Sequence, residues 1–209
     1  MSYPNFNIEK KIGGTVIGID EVGRGPLAGP VVSCACIFFD YSIEKFQLSL
    51  FDDSKKLTIK KRCDAFHKVY QLKNDNKLQF ALGFADVVEI DKFNILEAAK
   101  ISMRRAVQKL HYEKANLIID GRIDLQLPQY RSNGIIKGDQ KSYSIAAASI
   151  IAKIHRDRYM RLLSLQHPCY DWDKNAGYGT KKHINQIYKK GITDHHRKSF
   201  EPIKSLIHI

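Results

Sequence analysis

The sequence predicts an α/β fold, a mixed sheet with helices packed on it. Three observations carry that prediction. Two short runs rich in β-branched and aromatic residues, 16–20 and 31–39, stand first, joined by a loop of glycine and proline. Further short apolar runs then alternate with segments of helical period. An alanine-rich stretch from Ser142 to about residue 165 gives the longest helix signal.

Each element follows from local chemistry. Pro26 and Pro30 forbid a regular helix between the first two strands. A helix is predicted from Thr58 to about residue 72, then a third strand over 78–85. Asn94 is placed as an N-cap, with Glu97 three residues on. Ile95, Ala99, Met103, Ala106 and Leu110 continue one apolar face behind it. Residues 117–120 form a short buried strand ending in Asp120-Gly121, and 135–136 another ending in Lys137-Gly138-Asp139. In the long helix, Ala146, Ala147, Ala148 and Ala152 permit close packing on the sheet, and Pro168 stops it. The tail holds at least one further helix, about 181–190, ended by Gly191. A chain of 209 residues fits one well-buried core, so a single domain over 1–209 is expected.

Composition narrows the function. The net charge is +12, which favours a polyanionic partner, nucleic acid before a membrane surface. From Lys174 to Ile209 there are eight Lys/Arg and two Asp/Glu, with Tyr178 and Tyr188 interleaved. That pattern marks about 168–209 as a basic, helical substrate-binding region, whose cations hold phosphates and whose rings stack. No apolar run reaches the ~18–20 residues of a membrane span, and the polar N-terminus is no signal peptide, so a cytoplasmic protein is expected. No added interaction tail is visible, which leaves a monomer as the default. Cys34, Cys36, Cys63 and Cys169 lack zinc-type spacing. Cys34 and Cys36 share one strand face and read as small apolar residues.

The chemistry gathers around four acids. Asp20 and Glu21 close the first strand, Asp120 closes a later one, and Asp139 precedes the long helix. If those strands are neighbours, the carboxylates converge at one end of the sheet. Clustered like charges are unfavourable alone, but a hard divalent cation reverses the balance. Two such ions about 4 Å apart can cleave a phosphodiester. Gly23-Arg24-Gly25 follows at once, and glycine there lets backbone groups approach a ligand. The run Gly23 to Ala28 also fits a dinucleotide fingerprint, yet it leads into a strand rather than a helix, which removes that reading.

The run 18–30, Asp53-Ser54-Lys55-Lys56-Leu57, Asp120-Gly121, Lys137-Gly138-Asp139, the run 144–153, Gly177-Tyr178-Gly179-Thr180 and His196-Arg197-Lys198-Ser199-Phe200 occur in one order. In these motifs the chain resembles the bacterial ribonuclease HII family, from about Val16 to Ile203. The resemblance implies a ribonuclease H-like fold, a five-stranded mixed sheet flanked by helices, with a helical C-terminal region. It implies an endonuclease that cuts RNA in RNA–DNA hybrids and incises 5′ of single ribonucleotides in duplex DNA, leaving 5′-phosphate and 3′-hydroxyl ends. It implies Mg²⁺ or Mn²⁺ as cofactor, two ions held by Asp20, Glu21, Asp120 and Asp139. Asp20 would bridge both, with Asp139 on the nucleophile side and Glu21 and Asp120 on the leaving-group side.

Selectivity for RNA must rest on the 2′-hydroxyl. By the same resemblance, Gly23, Arg24 and Gly25 form the loop that senses it, and Tyr178 packs on the adjoining deoxyribose. Lys55 and Lys56 are expected to hold phosphates. This chemistry needs no histidine, so His155, His183, His195 and His196 read as solvent-facing or structural. Asp157 lies roughly 20 Å or more along the long helix and is expected to pair near Arg156 and Arg158 rather than bind metal. His155, where the family commonly has threonine, and residues 191–194, where proline is frequent, depart from the pattern. A DNA nuclease or resolvase using the same acids is the alternative, disfavoured by the Gly-Arg-Gly loop and Tyr178. A noncatalytic nucleic-acid-binding protein is disfavoured by the intact acids.

Overall fold

The computed structural model describes residues 3–44, 48–51 and 58–207. Lys55 and Lys56, with Asp53, lie outside the described residues. Five strands form one sheet in the order β3-β2-β1-β4-β5. β1 (Val16–Val22) pairs antiparallel with β2 (Val31–Phe38), and β2 pairs antiparallel with β3 (Leu78–Ala85). On the other side β1 runs parallel to β4 (Asn116–Asp120), and β4 parallel to β5 (Arg131–Ile135). The sheet is therefore mixed, as the order of sequence signals implied.

Alternation of side chains splits the apolar residues between two faces. Ile17, Ile19, Ala35, Ile37, Leu117 and Ile119 face α3 (Val87–Gln108), where Met103, Ala106 and Val107 meet them. Cys34, Cys36 and Phe38 face the other way, against Ala146, Ala147 and Ala148 of α4 (Tyr143–Gln166) and Val69 and Leu72 of α2 (Ile59–Asn74). All eight residues of β2 are buried, as a central strand covered on both faces requires. The four alanines of α4 have no exposed surface, so the helix packs tightly on the sheet.

The structure departs from expectation in three ways. β5 spans Arg131–Ile135 rather than 135–136, because an edge strand with half-exposed residues has no apolar run to announce it. α3 begins at Val87, seven residues before Asn94, with a complete capping box between Asp86 and Glu89. Asn94 still caps the second part: its backbone breaks from helical geometry and its side chain accepts from the N–H groups of Leu96 and Glu97. Third, α1 (Asn7–Ile12), α5 (Trp172–Asn175) and α7 (Ile203–Ile207) are too short to reveal a period. α6 (Lys181–Lys190) matches its expected bounds.

The segment after α4 has its own small core. Trp172, Ile187 and Ile203 pack there on Met160, Leu163 and Leu27. Among the described residues no helix is long and apolar enough to cross a membrane.

Candidate active site

Parallel pairing of β1 with β4 sets Ile19 opposite Ile119. One residue on, Asp20 and Asp120 leave the carboxyl ends of these neighbouring strands side by side. Strand alternation points both toward α4, since Val16 and Ile118 on the same face pack against Ile145. Ser149 of α4 hydrogen-bonds the Asp20 carboxylate, and the Glu21 N–H donates to Asp20 Oδ1 at 2.7 Å.

The third position comes from the turn between β5 and α4. Asp139, 7% exposed, sits in a single 3₁₀ turn, Gly138–Gln140. Gly138 N–H donates to Asp120 Oδ1 at 2.7 Å, which ties this turn to the end of β4. A Cβ on Gly138 would lie 2.6 Å from Ile145 Cδ1, so a larger residue there would have to displace the Ile145 side chain. Lys137 enters the turn in the left-handed region, φ 54, a conformation that costs a non-glycine residue ~1 kcal/mol or more.

The acids act on one another. Burial raises the Asp20 carboxyl well above the usual carboxylate range, and the charges of Glu21 and Asp120 raise it further. Burial also raises Glu21, where Arg24 opposes the shift and Asp120 adds to it. Arg24 Nη1 lies 3.4 Å from Glu21 Oε1, with half of the arginine side chain exposed. Among the described residues no group of three or more His, Cys, Asp or Glu side chains is gathered closely enough to hold a metal ion. Like-charge repulsion accounts for that, and the acids are engaged by other donors: Ser149, Arg24 and the Gly138 amide. The donor set still fits a hard divalent cation. It offers carboxylate oxygens only, and the buried Asp20 charge is short of positive compensation.

The glycine loop beside the acids is held from inside by two buried arginines. Arg197, with no exposed surface, donates from Nη2 to the Gly23 carbonyl (2.5 Å) and from Nη1 to that of Arg24 (2.9 Å). Its Nε also reaches the Gly29 carbonyl at 3.0 Å. Arg156 donates to the carbonyls of Pro30, Ala176 and Ala28. In a trans peptide the C=O of one residue and the N–H of the next point oppositely. With the Gly23 and Arg24 carbonyls turned to Arg197, the N–H groups of Arg24 and Gly25 point away from it. Gly23 has φ 96, and a Cβ there would lie 2.2 Å from Arg156 Nε.

Tyr178 joins the same loop. Its ring lies beside Gly25, whose Cβ position is 3.4 Å from Tyr178 Cε1, and it is 46% exposed. Its carbonyl is hydrogen-bonded to His183 Nδ1 at 2.9 Å. His183 Nε2 accepts from Trp172 Nε1 at 3.0 Å and meets His196 Nε2 at 3.2 Å. Thr193 N–H donates to His196 Nδ1, which leaves the proton of a neutral His196 on Nε2, facing the His183 nitrogen that already accepts from Trp172. Burial and the neighbouring histidines push His196 down to about 3, and burial lowers His183. Both shifts favour the neutral ring.

A family profile described as ribonuclease HII matches residues 17–203. The chain belongs to the ribonuclease HII family. It is 46% identical over 203 residues to a ribonuclease HII of Wolbachia from Brugia malayi, covering 97% of this chain and 96% of that protein. It is 48% identical to the ribonuclease HII of Staphylococcus epidermidis, covering 98% of this chain and 76% of that protein. The fold is similar to ribonuclease H2 of Pyrococcus horikoshii, with TM-score 0.72 at 22% identity over 93% and 98% of the two chains. It is also similar to the Bst ribonuclease HIII solved in complex with Mn²⁺, with TM-score 0.65 at 20% identity over 93% and 69%.

Within this ribonuclease HII architecture, some predicted positions meet and others are redirected. Asp20, Glu21, Asp120, Asp139, Gly23, Arg24, Gly25 and Tyr178 occupy the β1–β4 end of the sheet and the loop beside it. Asp157 pairs as expected, with Lys153 (2.6 Å) and Arg62 (3.4 Å), and its charge also acts on Arg156 beside it. Arg156 is spent on carbonyls and Arg158 lies over the Phe66 ring. Sequence reading missed Ser149 and both buried arginines. Arg197 was counted among the eight cations of the basic tail, whereas the other seven are exposed lysines. Composition cannot tell a buried arginine from a solvated one.

Proposed function

We propose that the chain is a divalent-metal-dependent endonuclease that hydrolyses the RNA strand of RNA–DNA hybrids and incises 5′ of single ribonucleotides in duplex DNA. The observation that carries this reading is one juxtaposition. Asp20 and Asp120 end adjacent parallel strands, and the Gly23-Arg24-Gly25 loop that leaves β1 packs on Tyr178. Asp20, Glu21, Asp120 and Asp139 would hold Mg²⁺ or Mn²⁺, two ions with substrate bound, which activate water and stabilise the departing 3′-oxygen. The protein's own contribution is placement and charge. The outward N–H groups of Arg24 and Gly25 suit a 2′-hydroxyl, whose oxygen accepts. The exposed Tyr178 ring suits the apolar face of the neighbouring deoxyribose. The exposed lysines of 168–209, with Lys55 and Lys56, would hold backbone phosphates within one domain over 1–209. We take the enzyme to be a cytoplasmic monomer.

The test is a DNA duplex bearing one ribonucleotide, incubated with Mg²⁺ or Mn²⁺ beside an all-DNA duplex. Incision 5′ of the ribonucleotide alone is expected. Equal cutting of both duplexes would make this a DNA nuclease, and binding without cutting would leave a noncatalytic protein.

A further inference from the structure

Residues before Ile17 lie outside the stretch that the family profile matches. Within them, Glu9 of α1 has no exposed surface. A buried carboxylate is costly unless it is well partnered, and Glu9 has few partners. Its Oε1 accepts from Ser142 Oγ at 2.6 Å and from the Ser144 N–H at 3.1 Å. Its Oε2 has no hydrogen-bond partner among the described residues. Its Oε1 faces the N-terminus of α4, whose first amides carry partial positive charge.

Ser142 is the N-cap of α4 and accepts from the Ile145 N–H at 3.2 Å. Because its hydroxyl proton is committed to Glu9, its lone pairs are left to the helix. The chain around Glu9 grips the same place. Asn5 N–H donates to the Lys141 carbonyl, Tyr143 N–H donates to the Asn5 carbonyl, and the Phe6 ring meets Tyr143 edge-on at 5.0 Å. The gripped residues close the turn that carries Asp139. Ser142 N–H donates to the Gly138 carbonyl at 2.9 Å, and Gly138 N–H donates to Asp120 Oδ1 at 2.7 Å. Three successive hydrogen bonds thus connect Glu9 to Asp120, and Asp139 lies within the turn they span.

We propose that Glu9 is a positioning residue for the metal site: through Ser142 it fixes the 137–142 turn, and so places Asp139 and Asp120 for a divalent cation. This rests on reading those two acids as metal ligands. Removing outer partners of metal ligands typically weakens metal binding 10–100-fold.

The experiment is Mn²⁺ titration of the full chain without nucleic acid, followed by the loss of the free-ion spin-resonance signal. Asp139→Asn should abolish most binding. Glu9→Ala should weaken it about 10-fold, whereas Glu9→Gln, which keeps the acceptor oxygen, should stay within about threefold of the parent. Hybrid binding in EDTA should be unchanged in Glu9→Ala and Glu9→Gln. If Glu9→Ala binds Mn²⁺ like the parent while Asp139→Asn does not, Glu9 merely fastens α1 and the inference falls. If Asp139→Asn also binds like the parent, the ligand reading itself falls. Should Glu9→Ala fail to fold by circular dichroism, Ser142→Ala decides the matter. Weakened Mn²⁺ binding supports the relay, and parent-like binding overturns it.

Discussion

Asp20 carries a charge that the metal-free fold resists. Burial, then Glu21 and Asp120, raise its carboxyl well above the usual range. The folded chain therefore keeps a proton that the unfolded chain has already released near ~3.9. The metal-free chain loses stability as pH climbs from that range through the raised value. Asp20→Asn should consequently melt at a higher temperature than the parent in EDTA at about pH 7.5, and the gap should close below about pH 4. An equal gap at both pH values would mean that the gain has another source. The same substitution should abolish cleavage, the stability–activity conflict common at charged sites. Asp20 and Asp120 stood out in the sequence because each ends a short apolar strand. Ser149 gave no such signal, since a serine in an alanine-rich helix has no feature that marks the residue it will face.

At the scale of elements, the β1–β2 loop is the decisive piece. Its glycines and prolines exclude a helix but do not choose a conformation. That choice falls to the donors of Arg156 and Arg197, which fix carbonyls from Gly23 to Pro30. A guanidinium presents a rigid fork that an ammonium cannot copy. Arg197→Lys should therefore loosen the peptide planes at Gly23 and Arg24. Cleavage at a single ribonucleotide should fall on the order of 100-fold, the scale of a 1 Å misplacement, while KM for the same duplex stays within about threefold. A large rise in KM with unchanged kcat would assign Arg197 to substrate binding instead. His196, the preceding residue, bonds His183, which holds the Tyr178 carbonyl. One dipeptide thus joins the loop to the tyrosine, and no local pattern in the sequence could have paired them.

Across the whole molecule, charge and topology act together. The net charge of +12 is carried in part by the exposed lysines after α4, while the acids are gathered at one end of the sheet. Phosphate binding by such lysines releases counterions and weakens as salt rises. Lys181 and Lys189 lie on α6 and are both exposed. Replacing both with glutamine should lower hybrid affinity at all sequences. It should also reduce the slope of log affinity against log salt by about two, one for each phosphate that is no longer neutralised. Fluorescence anisotropy across a salt series measures that slope, and an unchanged slope would place the nucleic acid elsewhere.

The α/β class, the strands β1 to β4, the long α4 and the strand ends at which Asp20 and Asp120 stand are all legible in the linear chain. They follow from local causes: side-chain period, proline and glycine breaks, and capping residues. The parallel pairing of β1 with β4, which brings Asp20 beside Asp120, emerges only in three dimensions. Folding also turns Arg197 from one more tail cation into a buried donor, and Glu9 from a polar N-terminal residue into a support for the Asp139 turn. The reason is physical. Pairing order, burial and hydrogen bonding between residues more than 100 positions apart are set by how the layers pack, and no segment carries that information alone.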